Sequence, residues 1–333
     1  MKKWFSLLLI AAMALTLCLT AVGETTTGSE TRVALVIAET LGDLGFYDSA
    51  NEGLGRLAED YGVIPSVVEC KSDASMYQLA LVEAAEQNDI VVAVGWQFWD
   101  GLTVVAPEMP DTKFIFVDNG LDGVGDNLLS IIYAENQGSF LVGYIAMKLS
   151  ESGMVGVIGG EDSDTINNFI VGYRQGALYA NPEGTVLDPI YTDGDYDSPD
   201  KGKEAALSLY GQGADVVYAV AGKTGLGVFE AAQEQGRYAI GVDSDQKHIN
   251  PDVILCSMLK RVGDSVYDVI SNYLEDGVFD GGTIWNADMS SGLVGLGYGD
   301  DTMTQQVSDE LKAEVEALAQ EIIAGNIVVE STR

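Results

Sequence analysis

The sequence is poor in the residues that most enzymes use to move protons or hold metals. It has one histidine, His248, in the run DQKHINPD. A Ser-His-Asp or Cys-His set would have to rest on a loop residue beside an Asn-Pro turn, and a multi-histidine zinc site is excluded by the count. Cysteine is scarce too, with three residues and no CxxC pair. Basic residues number 17 against 51 acidic ones, a net charge of −34. So negative a surface repels phosphate backbones and anionic headgroups, which argues against nucleic acid or a membrane surface as partner. Long apolar runs are missing as well, apart from one short segment at the start of the chain.

That segment, MKKWFSLLLIAAMALTLCLTAVG, has two lysines, an apolar stretch and small residues, followed by an acidic polar tract. It reads as an export signal over 1–23, with Ala21-Val22-Gly23 as the cleavage site and 24–31 as a linker. The protein is therefore expected outside the cytoplasm, at the outer face of the cell membrane. A lipid anchor is unsupported: Leu19-Thr20-Ala21 is a good lipobox run-up, but Val22 stands where the acylated cysteine would be, and Cys18 follows the bulky Leu17. Cleavage removes Lys2 and Lys3 and no acid, so the charge becomes −36. Cys70 and Cys256 remain, each in an apolar run, and are expected as buried thiols, with a disulfide as the alternative.

What is present is a repeating pattern. Apolar β-branched runs such as VALVIA (33–38), Ile90–Gly95, Lys113–Asp118, Met154–Ile158, Val186–Tyr191, Asp215–Val220 and Val253–Met258 alternate with segments of helical period such as Ala50–Tyr61, Phe140–Ser150 and Asn167–Ala180. Strands apolar on both faces and separated by helices predict parallel sheets covered on two sides. The strands are too many for one open sheet and the pattern restarts near residue 138, which predicts an α/β protein of two doubly wound lobes. The tail adds a helix (Val262–Tyr273), a strand-like Gly292–Gly297 and a long helix (Thr304–Ala324). It is expected to cross back between the lobes: 32–135 with about 260–300 in lobe 1, and 136–259 with 301–333 in lobe 2.

Ligands of open parallel sheets bind beyond the carboxyl ends of the strands. Unusual residues cluster there. Phe46 and Tyr47 follow the first strand in GDLGFYDSANEG; Trp96, Phe98 and Trp99 follow the third; Asp118 ends the fourth. In the second half come Tyr196, the glycine turn at 222–227, Asp243 and Lys260. AGKTGLGVFE (221–230) lacks the GxxxxGK[ST] order of a phosphate loop but suits close backbone approach to a ligand. DGDYDSPDKGKE (193–204) puts acids at the first, third, fifth and twelfth places of a calcium loop, yet Ser198 takes the glycine place and Lys201 the ninth, so no metal is expected. Asp243 and Lys260 form either a cross-strand ion pair or a grip for a vicinal diol, since a carboxylate accepts two hydroxyl protons while an ammonium donates to a third oxygen.

Several stretches in order, among them VALVIAETLGDLGFYDSANEGLGRLAEDYGV, AENQGSFLVGYIA, AIGVDSDQ and SMLKRVGDSVYDVI, together resemble the basic membrane protein / purine-nucleoside receptor family. The resemblance implies a substrate-binding protein of an ABC importer with the type I periplasmic-binding-protein fold, a monomer that closes on a nucleoside, uses no cofactor and delivers its ligand to permease and ATPase subunits. It implies that Phe46 and Tyr196 sandwich the purine, Asp118 bonds the base edge, Asp243 with Lys260 holds the ribose hydroxyls, and Gly222 and Gly225 line the sugar end, with Asp43 as an orienter. Tyr47 departs from the family's usual asparagine and Lys223 from a small residue, which bears on which base is taken. A ligand-gated sensor or a sugar receptor of the same fold is the alternative.

Overall fold

The computed structural model describes residues 30–333; the expected signal segment and nearly all of the linker lie outside the described residues. In chain order the elements are β1 (Arg32–Ile37), α1 (Phe46–Tyr61), β2 (Ile64–Glu69), α2 (Tyr77–Gln87), β3 (Ile90–Val94), α3 (Trp99–Glu108), β4 (Lys113–Val117), β5 (Leu128–Tyr133) and α4 (Glu135–Leu149). There follow β6 (Met154–Gly159), α5 (Asp164–Ala180), β7 (Thr185–Val186), β8 (Ile190–Tyr191), α6 (Pro199–Gly211), β9 (Val216–Val220), α7 (Leu226–Gln235), β10 (Tyr238–Asp243) and β11 (Ile254–Lys260). The tail supplies α8 (Val262–Asp276), β12 (Ile284–Ala287), β13 (Val294–Gly297) and α9 (Asp309–Ile323).

Two sheets result. The first has the order β12-β5-β4-β3-β1-β2 and is parallel throughout. The second has the order β13-β11-β10-β9-β6-β7, with β8 also on β6, and is parallel except for β13. The central strands are apolar on both faces, as in β3, where all five residues from Ile90 to Val94 are buried. Helices therefore cover each sheet on both sides. The chain passes between the sheets three times: from β5 into α4, from β11 into α8, and from β12 to β13.

The tail corrects one boundary. Val294–Gly297 lies antiparallel on β11, Lys260 opposite Val294, so the last part of the stretch expected in lobe 1 belongs to the second sheet. Only α8, which packs on α1, and β12, paired with β5, return to the first. Helix α9 packs on α4. Two elements had no forecast. WDGLTVVAPE, with a glycine, three β-branched residues and Pro107, has poor helix propensity yet forms α3. The four residues of β12 are too few to show a period. The expected strand Val186–Tyr191 is split into β7 and β8, which pair with different parts of β6.

Local chemistry sets the helix ends that frame the cleft. Asp43 accepts the backbone N–H groups of Gly45, Tyr47 and Asp48 at 2.9–3.1 Å, so it satisfies donors that the first turn of α1 would leave orphaned. That cap starts the helix at Phe46, four residues before the expected Ala50. Helices α4 and α5 meet backbone to backbone: a Cβ on Gly176 would lie 1.8 Å from the Phe140 carbonyl oxygen. Cys70 and Cys256 are free and buried.

Candidate functional site

The carboxyl ends of both sheets face one narrow cavity between the lobes, about 70 Å³ in volume. Its floor is built from strand ends. Asp118, just beyond β4, and Asp243, the last residue of β10, both take positive φ, +80° and +66°. This conformation is uncommon outside glycine and is retained where the surroundings hold it. Lys260 ends β11 and is 2% exposed.

These three side chains meet. The Lys260 ammonium lies 2.8 Å from Asp118 Oδ1, 3.8 Å from Asp243 Oδ1 and 4.0 Å from Oε1 of the fully buried Glu135. It also sits 4.5 Å from the ring centre of Phe46, 5.0 Å from that of Phe169 and 5.5 Å from that of Tyr133, where the negative ring faces attract it. Burial alone would drag its pKa down, but the carboxylates of Asp118, Asp243 and Glu135 together hold it above the ordinary lysine range. Burial pushes the Asp243 carboxyl up to about 7; Lys260 opposes that and the neighbouring acids add to it. Asp243 Oδ1 has no hydrogen-bond partner, so this end of the cavity keeps an unused acceptor.

The other end is aromatic and acidic. Tyr47, buried in the first turn of α1, donates its hydroxyl proton to Glu39, and Gln97 Nε2 donates to the same carboxylate at 3.1 Å. Gln97 Oε1 is buried without a partner. Burial, reinforced by Asp43, Asp197 and Glu161, raises the Glu39 carboxyl to about 8. From the second lobe Tyr196 donates to Glu161 Oε1 at 3.1 Å. The Tyr196 ring rests on Gly160, where a Cβ would lie 2.0 Å from a ring carbon; any other residue there would expel the ring.

Of the residues singled out from sequence, Phe46, Tyr47, Asp118, Tyr196, Gly222, Asp243 and Lys260 all line this cavity. Gly225 does not: it is buried, and a Cβ there would meet Ala219. Asp118, assigned to the base edge, lines the cavity and pairs with Lys260 in the same cluster as Asp243. Lys223 lies at the cavity wall, 2.6 Å from Asp197, and Asp195 is paired with Lys201, so two acids of the calcium-like loop are engaged by lysines. Sequence reasoning missed Glu39, Gln97, Glu161 and Phe169. Glu39 and Gln97 follow strands β1 and β3, which is a signal the strand-end rule supplies; Phe169 is inside α5 and gives none.

Comparison with known proteins gives a consistent picture. A family model described as "ABC transporter substrate-binding protein PnrA-like" matches residues 30–333. Basic membrane protein A of Borreliella burgdorferi is 31% identical, with all of this chain and 97% of that protein covered. Basic membrane protein B of Borreliella afzelii is 33% identical over 86% of each. Among solved structures, an ABC transporter solute-binding protein from Aeropyrum pernix superposes with a TM-score of 0.80 at 28% identity, covering 90% of this chain and 94% of that one. A transcriptional activator of comK from Bacillus halodurans superposes at 0.74 and 24% identity, covering 90% of this chain and all of that one, which speaks to the fold alone.

Proposed function

The chain belongs to the family of PnrA-like ABC transporter substrate-binding proteins, and on that premise we propose that its ligand is a nucleoside, held by base stacking and by a grip on the pentose hydroxyls. Substrate-binding proteins of ABC transporters work outside the cytoplasm and hand a small molecule to a permease. Among the described residues, no helix is long and apolar enough to cross a membrane.

The observation that carries the reading is the polarity of the cavity from end to end. Phe46 and Tyr196 come from opposite lobes and offer flat apolar faces, which suit a heterocycle; base–aromatic stacking is worth roughly 1–3 kcal/mol per base. At the floor, Asp118 and Asp243 accept and Lys260 donates, the complement of a vicinal diol beside a ring oxygen. Near the rings, Glu39, Gln97 and Glu161 offer hydrogen bonds to a polar edge of the base, with the Tyr47 hydroxyl already engaged by Glu39. Lobe closure about the three crossings brings the two halves of the site together.

Calorimetric titration with adenosine, guanosine, inosine and uridine, beside ribose and other free sugars, is the test. The reading predicts binding of at least one nucleoside well below millimolar. Binding of a free sugar with none of any nucleoside would overturn it.

A further inference from the structure

Beyond α9 the chain runs back across the second lobe to the floor of the cleft. Its course is fixed by side-chain amides. Gln175 pairs with the backbone at both Val328 and Glu330, at 3.0 and 2.7 Å, and Asn136 Nδ2 donates to the carbonyls of Val329 and Glu330. Asn168 Oδ1 accepts from Ser331 Oγ and the Thr332 backbone, and Thr332 Oγ1 reaches the Asp164 carbonyl. This strap ends at Arg333, whose guanidinium bonds Thr165, lies 3.5 Å from Glu135 Oε1 and reaches the Asp118 carbonyl of the opposite lobe at 3.4 Å.

Glu135 is the pivot. It opens α4, is wholly buried, and gives one carboxylate oxygen to Asn168 Nδ2 at 2.7 Å. The other oxygen faces Lys260 at 4.0 Å and Arg333 at 3.5 Å and has no hydrogen bond. Three carboxylates, Asp118, Asp243 and Glu135, thus share two cations. Were Arg333 absent, Lys260 alone would face all three, and removing one partner of a buried charge set is costly. The geometry points to Arg333 as a positioning residue of the cleft, one that occupies Glu135 so that the Lys260 ammonium stays with Asp118, Asp243 and the ligand's hydroxyls. This rests on the nucleoside reading for what the ammonium grips. Burial raises the Glu135 carboxyl, with Arg333 and then Lys260 opposing, in keeping with that role.

The test uses R333Q, E135Q and the double variant in the whole chain. The amide clamps on the strap remain, so R333Q keeps its fold. Calorimetry with inosine, guanosine and adenosine, beside their free bases, is expected to show R333Q weakening the nucleosides about tenfold and the bases little, and E135Q in the same chain restoring affinity to within about threefold. Nucleoside binding unchanged in R333Q, or lost without rescue, overturns the proposal, because a strap that merely packs would not be repaired by neutralising Glu135. In the ligand-free protein, carbon-13 NMR of the Glu135 carboxyl should show it titrating at higher pH in R333Q than in the parent; an unmoved titration also overturns the proposal. Should the parent bind no nucleoside at all, the functional reading falls and this titration alone decides the role of Arg333.

Discussion

At the scale of residues, the cleft is a set of buried polar groups held in place by their neighbours. Phe46 is fixed by the first turn of α1, with Tyr47 packed 5.1 Å from it, so truncation removes a ring face without opening the cap at Asp43. Phe46→Ala is expected to weaken nucleoside binding at least about tenfold, the scale of one lost stacking partner, while circular dichroism and thermal melting stay close to the parent. Unchanged affinity would remove the ring from the account. Glu39 makes a different prediction. Its carboxyl rises from an ordinary 4.5 to about 8 on folding. A raised acid binds its proton more tightly folded than unfolded, so its contribution to stability is complete below about 4.5 and lost as pH climbs through 8. Denaturant unfolding of the ligand-free protein should therefore show Glu39→Gln gaining on the parent across that window, by no more than about 1.4 kcal/mol per pH unit. A difference flat with pH would mean that Glu39 is ionised in the fold.

At the scale of elements, what was readable depended on whether a residue's role was written in its own neighbourhood. The parallel strands announced themselves as apolar runs, and Phe46, Tyr47, Asp118, Asp243 and Lys260, which line the cavity, could be singled out because strand ends are where such sheets bind ligands. Gly225 failed because a glycine in a strand-to-helix turn looks the same whether it faces a ligand or packs on Ala219. Glu135 and Arg333 were invisible: their meeting depends on a tail that returns over 197 intervening positions, for which no local pattern exists. The strand β13 went to the unexpected sheet for the same reason, since a four-residue apolar run does not say which edge it will join. Helix contacts also rest on long-range detail. At the α4–α5 crossing, Gly176→Ala places a methyl against the Phe140 backbone and should cost about 1–3 kcal/mol in denaturant unfolding, at the usual scale of overpacking. A loss below about 0.5 kcal/mol would mean that the two helices separate readily.

At the scale of the whole molecule, two sheets joined by three crossings among the described residues couple the lobes through a hinge, and several contacts already span the cleft. Gln246 Nε2 and Ser244 Oγ of the second lobe donate to the carbonyls of Leu44 and Gly45, and Lys260 bonds Asp118. A ligand that adds contacts to both lobes must favour the closed arrangement by its differential affinity for it. Small-angle scattering is expected to show a smaller radius of gyration with saturating nucleoside than without, and an unchanged radius would mean that the ligand enters a cleft already shut. The central claim, a flat heterocycle between rings from the two lobes with its pentose on the acid–amine floor, is tested most directly by a crystal structure grown with saturating nucleoside. The account predicts the base between Phe46 and Tyr196, with its sugar hydroxyls within hydrogen-bond reach of Asp118, Asp243 and Lys260. The nucleoside bound elsewhere, with those two rings turned away from an empty cleft, would contradict it.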